Sequence, residues 1–341
     1  MYIFSDFSVA ALVRDALIAA RSRGAEIKVL LDGWGSLFLE DSFWDSLRDC
    51  GGHVRWFNPL SLKRYGIRNH RKLLVCDDSM ALVGGFNIAS EWQGDGKSSG
   101  WRDLGLEVRG PIVRDLATSF ETLFSMADFR HKRFARLRKT MIRKSVPTGN
   151  GQLLLSGPGR GQNHFSDAIL KDLAAARTVR IIAAYFLPSR AIRRALTRRA
   201  RNGCHIQLIL AGKSDVQLSQ FASRRFYGAL LRAGIEIYEY QPQILHAKLL
   251  VIDDVVYAGS ANLDRRSIYI NYELMLRISD RKLAEEARLF FSKDVTLSRK
   301  IEASAWRKSR TFWAKLLERW AFFVLARFDP LIARRQLRNL R

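Results

Sequence analysis

Cysteine is scarce. Cys50, Cys76 and Cys204 are odd in number, far apart and outside any CxxC arrangement, which gives no disulfide framework and no thiolate zinc site and fits a reducing compartment. Long apolar runs are missing as well. No stretch approaches the roughly 20 apolar residues of a membrane-spanning helix; the longest candidate, Trp320 to Ala326, has seven. No charged-then-apolar signal pattern opens the sequence given, so membrane contact is expected from the surface. Acidic residues are in short supply: 33 Asp and Glu against 57 Lys and Arg leave a net charge of +24. Such an excess points to an anionic partner, nucleic acid or an acidic membrane surface, and does not by itself choose between them.

Apolar residues make up 48% and charged residues 26%, the balance of a folded chain with a core. At 341 residues two domains are expected, and the sequence repeats itself accordingly. A helical segment, a Gly and an apolar strand run from Val9 through Gly24 to AEIKVLLDG, and again from Ala191 through Gly203 to CHIQLILAG. A further helix and strand follow in each half, FWDSLRDCGGHVRWFNP against FYGALLRAGIEIYEYQP. Next come the strands KLLVCDD and KLLVIDD, and then DLGLEVRG and ELMLRISD. Alternating helices and strands predict an α/β sandwich in each half, with helices on both faces of a sheet. The first half lacks a counterpart of the helix Asp167 to Ala176 and the strand Val179 to Ala184, so its native start is expected upstream or its edge is shortened. The expected division is a first domain over 1–129, a basic linker over 130–150, a second domain over 151–300 and a basic aromatic tail over 301–341.

The chemistry-bearing residues repeat too. His70, Lys72 and Asp77 stand at H-x-K-x4-D, and His246, Lys248 and Asp253 repeat that spacing. Positions i and i+2 of a strand face the same way, so each imidazole and its ammonium emerge together toward one anion. Asn87 follows in GGFN and Asn262 in GSAN. Backbone at Gly85 and Ser260 can approach a phosphate closely while the Asn amides donate to its oxygens. A single His on a strand is more often structural than catalytic, but two copies in register argue for a site. Asp77 and Asp253 each end an apolar strand, where an Asp can equally fix a turn.

HRKLLVCD…GGFNIASEW and HAKLLVID…GSANLDRRS resemble the paired HKD motifs of the phospholipase D superfamily over nearly the whole chain. GGFNIASEW with WRD at 101 to 103, and NLDRRS with NYE at 271 to 273, resemble its cardiolipin synthase branch. The resemblance implies two phospholipase D-like α/β/α sandwich domains with the active site at their interface. It implies His70 as nucleophile, forming a phosphohistidine, and His246 as the acid and then base, although the near-symmetric motifs leave the reverse assignment open. Lys72, Lys248, Asn87 and Asn262 would hold phosphoryl oxygens; Asp103 and Glu273 would orient the rings or serve a structural role. No cofactor or metal is implied, and the sequence offers no HExxH or carboxylate cluster.

The tail from Ala305 to Arg341 mixes Trp306, Trp313, Trp320, Phe322 and Phe323 with Arg307, Lys308, Lys315 and Arg319. Such a helix suits either a membrane interface or the protein's own core. The segment SLKRYGIRN at 61 to 69 has no counterpart in the second half and is a candidate to shape the entrance, or a solvated turn. On the resemblance, the expected reaction joins phosphatidylglycerol to a second phospholipid to give cardiolipin. The chain would sit peripherally on the cytoplasmic face of the bacterial inner membrane, with anionic phospholipid rather than nucleic acid as partner. A hydrolase or nuclease using the same residues, or a non-catalytic protein of anionic membranes, are the alternatives.

Overall fold

The computed structural model describes residues 1–5, 7–59, 66–127, 144–158 and 163–325. In the first half, helix α1 (Phe7–Ser22) leads to strand β1 (Lys28–Asp32), and the short α2 (Asp45–Asp49) to β2 (His53–Phe57), which pairs with β1 in parallel. The chain turns out of α1 at Gly24, whose φ of 94° a side chain would strain. Gly203 repeats that turn in the second half with φ 86°. A meander of β3 (Leu73–Cys76), β4 (Met80–Gly84) and β5 (Gly105–Arg109) follows, then α3 (Ile112–Met126). These strands form two separate sheets, one of two strands and one of three.

The second half is built on a nine-stranded sheet. Its elements in chain order are β6 (Ser145–Thr148), β7 (Gly151–Ser156), α4 (His164–Leu173), β8 (Thr178–Ala183), α5 (Arg190–Arg201), β9 (His205–Ala211) and α6 (Gln217–Arg232). Then come β10 (Glu236–Tyr240), β11 (Lys248–Ile252), β12 (Val255–Gly259), α7 (Arg265–Tyr269), β13 (Glu273–Ser279), α8 (Arg281–Thr296), β14 (Ser298–Lys300) and α9 (Ala303–Lys308). Across the sheet the order is β14-β10-β9-β8-β11-β12-β13-β7-β6. Strands β8, β9 and β10 run parallel, as helix crossovers require, and the rest pair antiparallel. Helices α4, α5, α7, α8 and the tail helix α10 (Phe312–Phe323) start at Asn163, Ser189, Asp264, Asp280 and Thr311, whose side chains accept a first-turn N–H.

One boundary departs from the sequence expectation. Strand β6 lies inside the stretch assigned to the linker and pairs with β7, so the second half begins there; 128–143 lies outside the described residues. As the repeat leads one to expect, β8, which lies between β9 and β11 in the second half's sheet, has no described counterpart beside β1 and β3. Phe4 instead makes a single parallel bridge to Ile88, as Phe186 does to Leu263.

The halves share apolar cores. Ala81, Val83, Val113 and Leu116 of the first pack with Leu153, Leu155, Leu274 and Leu276 of the second. Tyr272 enters a cluster with Leu30, Phe57 and Leu123. Emptying such sites costs about 2–5 kcal/mol each, so this seam is a fixed element of the fold.

Candidate active site

Two crossed bridges place the site. Asn69, just before His70, bridges in parallel to Tyr272, just before Glu273, and Leu245, before His246, bridges to Arg102, before Asp103. The His70 N–H donates to the Tyr272 carbonyl at 2.9 Å and the His246 N–H to that of Arg102 at 2.7 Å. Each motif is thereby laid beside the acidic residue of the other half. His70 Nδ1 donates to Glu273 Oε2 at 3.0 Å, and His246 Nδ1 to Asp103 Oδ2 at 2.6 Å. With Nδ1 occupied, Nε2 of each ring carries the lone pair for chemistry.

The lysines are buried with them. Lys72 Nζ donates to the His70 carbonyl at 2.9 Å; Lys248 Nζ donates to the His246 carbonyl and lies 2.9 Å from His246 Nδ1. Burial holds His70 down to about 4, against the upward pull of Glu273. Burial and the Lys248 ammonium lower His246, with Asp103 opposing. Lys72 falls well below the usual lysine value through burial, and Lys248 to about 8 for the same reason. Burial raises Asp103 and Glu273, but their cationic partners outweigh it and both stay ionised, Asp103 through His246 and Lys248, and Glu273 through His70 and Lys72. Lys248 acts on His70 and Lys72 acts on His246, so the two motifs share one electrostatic field.

Fully charged, the two ammoniums and two carboxylates sum to zero. A phosphodiester adds one negative charge, which favours the ammonium of Lys72 and the imidazolium of His246. The arrangement can therefore take a phosphodiester anion, offer it one neutral imidazole and protonate an oxygen from the other.

Around this centre the sequence expectations divide. Asn87 and Asn262 are buried; the Ile3 N–H occupies Asn87 Oδ1 at 3.0 Å, while Asn262 Oδ1 has no hydrogen-bond partner among the described residues. Gly85 and Ser260 act behind the carboxylates rather than on a phosphate. A Cβ at Gly85 would lie 2.3 Å from Asp103 Oδ1, so only Gly lets that carboxylate in. Ser260 Oγ donates to Glu273 Oε2 at 2.6 Å and accepts the Leu274 N–H at 3.0 Å. Asp77 and Asp253 are not in the site. They sit at the hairpin turns after β3 and β11 with φ of 52° and 49°, a backbone that Asp tolerates better than most residues. Five residues of extended chain, about 16 Å, separate each from its lysine. Asp253 accepts the Thr178 N–H at 2.8 Å and so pins the start of β8. Of the 61–69 segment, 61–65 lies outside the described residues, while the Gly66 carbonyl accepts from Arg266 of the second half at 3.0 Å.

Several contributors escaped the sequence reading. Trp92 Nε1 donates to Asp103 Oδ2 at 2.8 Å, and its ring stands 5.2 Å from that of His246, with Trp101 at 5.6 Å. Tyr2 lies 4.8 Å from the His70 ring and 4.9 Å from Lys72 Nζ. Asp32 accepts the Asn69 N–H at 2.7 Å and the Trp34 and Gly35 N–H groups, fixing the approach to His70. The signal was a mismatch in the repeat: Asp32-Gly33 stands where the second half has Ala211-Gly212, and SEW answers to RRS.

A family model described as cardiolipin synthase, PLD-like domain, matches residues 1–123 and 169–295. The major cardiolipin synthase ClsA of Bacillus subtilis is 31% identical over 330 residues, 93% of this chain and 67% of that protein. Cardiolipin synthase 1 of Staphylococcus aureus is 31% identical over 88% of this chain and 62% of its own length. Cardiolipin synthase A of Pseudomonas putida is 31% identical over 89% and 63%. The chain thus spans roughly two thirds of these relatives. Among solved structures, phosphatidylserine synthase of Haemophilus influenzae superposes with a TM-score of 0.72 at 14% identity over 97% of this chain and 88% of that one, a likeness of fold. With the family model matched in both halves, and the duplicated motifs meeting at one seam, the chain belongs to the phospholipase D-like cardiolipin synthase family.

Proposed function

We propose that the protein transfers a phosphatidyl group from one phospholipid to the hydroxyl of phosphatidylglycerol, forming cardiolipin. His70 Nε2 attacks phosphorus. The bond to the leaving alcohol breaks as His246 delivers its proton to that oxygen, leaving a phosphatidyl group on His70. His246 then takes the proton of the incoming hydroxyl, whose oxygen attacks phosphorus as the P–N bond breaks. Lys72, Lys248 and the amides of Asn87 and Asn262 carry the charge on the phosphoryl oxygens. The observation that carries this reading is the crossed pairing of each histidine with the other half's carboxylate, together with the depressed affinity of His70 for protons, which keeps a neutral nucleophile available.

Attachment to the cytoplasmic face of a membrane belongs to the same reading. No described helix is long and apolar enough to cross a membrane. Helix α10 rests on α6 through Phe322, 5.4 Å from Phe226, and exposes Phe312, Trp313, Leu316, Trp320 and Phe323. The tail is thus both docked on the core and apolar outward; 326–341 lies outside the described residues.

Labelled phosphatidylglycerol in mixed micelles, resolved by thin-layer chromatography, tests the reaction. Labelled cardiolipin with release of glycerol supports it. Phosphatidic acid alone makes the protein a hydrolase, DNA cleavage in place of lipid turnover a nuclease, and no turnover a binding protein.

A further inference from the structure

Helix α5 carries six arginines in twelve residues and no acid, RAIRRALTRRAR. The active site uses none of them. Between α5 and α6 runs a groove of about 450 Å³ lined by Arg190, Arg193, Arg194, Arg198, Arg201 and Phe226, with no carboxylate among its lining residues. The four outer arginines are exposed and Arg193 is half-buried. The Arg193 guanidinium stacks 4.2 Å over the Phe226 ring, and its buried Nε has no hydrogen-bond partner among the described residues. Burial, Arg225 and Arg190 all disfavour its charge. Such a concentration of like charge is a standing cost to the fold that an anion would relieve. The groove also adjoins the exposed aromatic helix: Phe226 forms its wall and meets Phe322 of α10, which Arg225 caps from 4.6 Å.

We propose that this groove is a second, non-catalytic site for the phosphate of an anionic phospholipid headgroup, holding the protein on a membrane beside the aromatic face of α10. The proposal rests on the surface-docking part of the functional reading and not on its chemistry. Guanidinium forks suit phosphodiester oxygens, while the neighbouring Trp313, Trp320 and Phe323 suit the level of the headgroups and upper acyl chains.

The test is sedimentation of the full chain with vesicles of phosphatidylcholine, with and without phosphatidylglycerol, comparing wild type with Arg194→Gln/Arg198→Gln/Arg201→Gln. The expected result is a loss of about tenfold or more in affinity for the anionic vesicles, absent at high salt, with unchanged turnover in uncharged detergent micelles and a melting temperature no lower than that of wild type. Trp313→Ser/Trp320→Ser should instead weaken binding to both vesicle types. Equal binding by wild type and the arginine variant overturns the proposal. So does a parallel loss of micellar turnover, which would put the arginines in the active site. Displacement by millimolar inorganic phosphate without any effect of phosphatidylglycerol would reassign the groove to a soluble anion, and loss of DNA binding with vesicle binding intact would reassign it to nucleic acid.

Discussion

At the imidazoles, the carboxylate on Nδ1 fixes which nitrogen faces the substrate, and the burial that surrounds it decides the protonation state. Glu273 is one carbon longer than Asp103 and is steadied by the Ser260 hydroxyl, where Asp103 is steadied by Trp92 and admitted by the bare Gly85. His70→Ala and His246→Ala should each lower turnover by at least about 10³-fold while leaving the circular dichroism spectrum unchanged; activity above a few percent in either would mean the site is not shared. His70 must attack unprotonated, so kcat/KM should fall as pH drops through about 4. Glu273 raises the affinity of His70 for protons. Glu273→Gln should therefore move that acidic limb to lower pH while kcat drops about 10²–10⁴-fold, a shift that mere loosening of the fold would not produce. The repeat spacing made His70, Lys72, His246 and Lys248 readable, since a two-residue interval in extended chain is enough to put ring and ammonium together. Asp77 and Asp253 were not separable from them by spacing, because a turn-forming Asp after an apolar strand occupies the same place in the motif as a catalytic one.

Among the elements, the meander strands and the helix-Gly-strand units follow from apolar periodicity, and their limits fall within a few residues of expectation. Their partners do not follow from it. Nothing in the order of residues says that Asn69 lies beside Tyr272 or Leu245 beside Arg102, because parallel bridges between segments far apart in sequence are set by tertiary packing. Arg102 helps to hold one of them, its guanidinium 2.8 Å from the buried Asp294 and 4.3 Å from the Phe290 ring. Arg102→Ala leaves Asp294 a buried, unpaired carboxylate, for which a loss of about 3–5 kcal/mol is expected, measured by urea unfolding; a change under about 1 kcal/mol would show that the segment is held elsewhere. For α10, the sequence offered two roles as alternatives, and the helix has a face for each. Reading only amphipathicity could not reveal that a second apolar stripe stays open.

Over the whole molecule, stability and function pull apart at the seam between the halves. Lys72 is buried beside Lys248, Met1 and the Tyr2 ring, and its depressed proton affinity means that the folded protein resists the charge its proposed chemistry requires. Lys72→Met should accordingly raise the melting temperature, by roughly 1–3 kcal/mol of stability, while abolishing turnover; a fall in melting temperature would show that the ammonium stabilises the empty site. The central claim is that imidazoles from both halves serve one phosphorus atom in different roles. A phosphatidyl ester of p-nitrophenol, whose leaving group needs no proton, tests it most directly in His246→Ala. The account predicts a burst of about one nitrophenolate per chain with the phosphatidyl group recovered on the His70 peptide, and no burst in His70→Ala. Label on the His246 peptide of the His70→Ala protein, or sustained turnover by either variant, would contradict it.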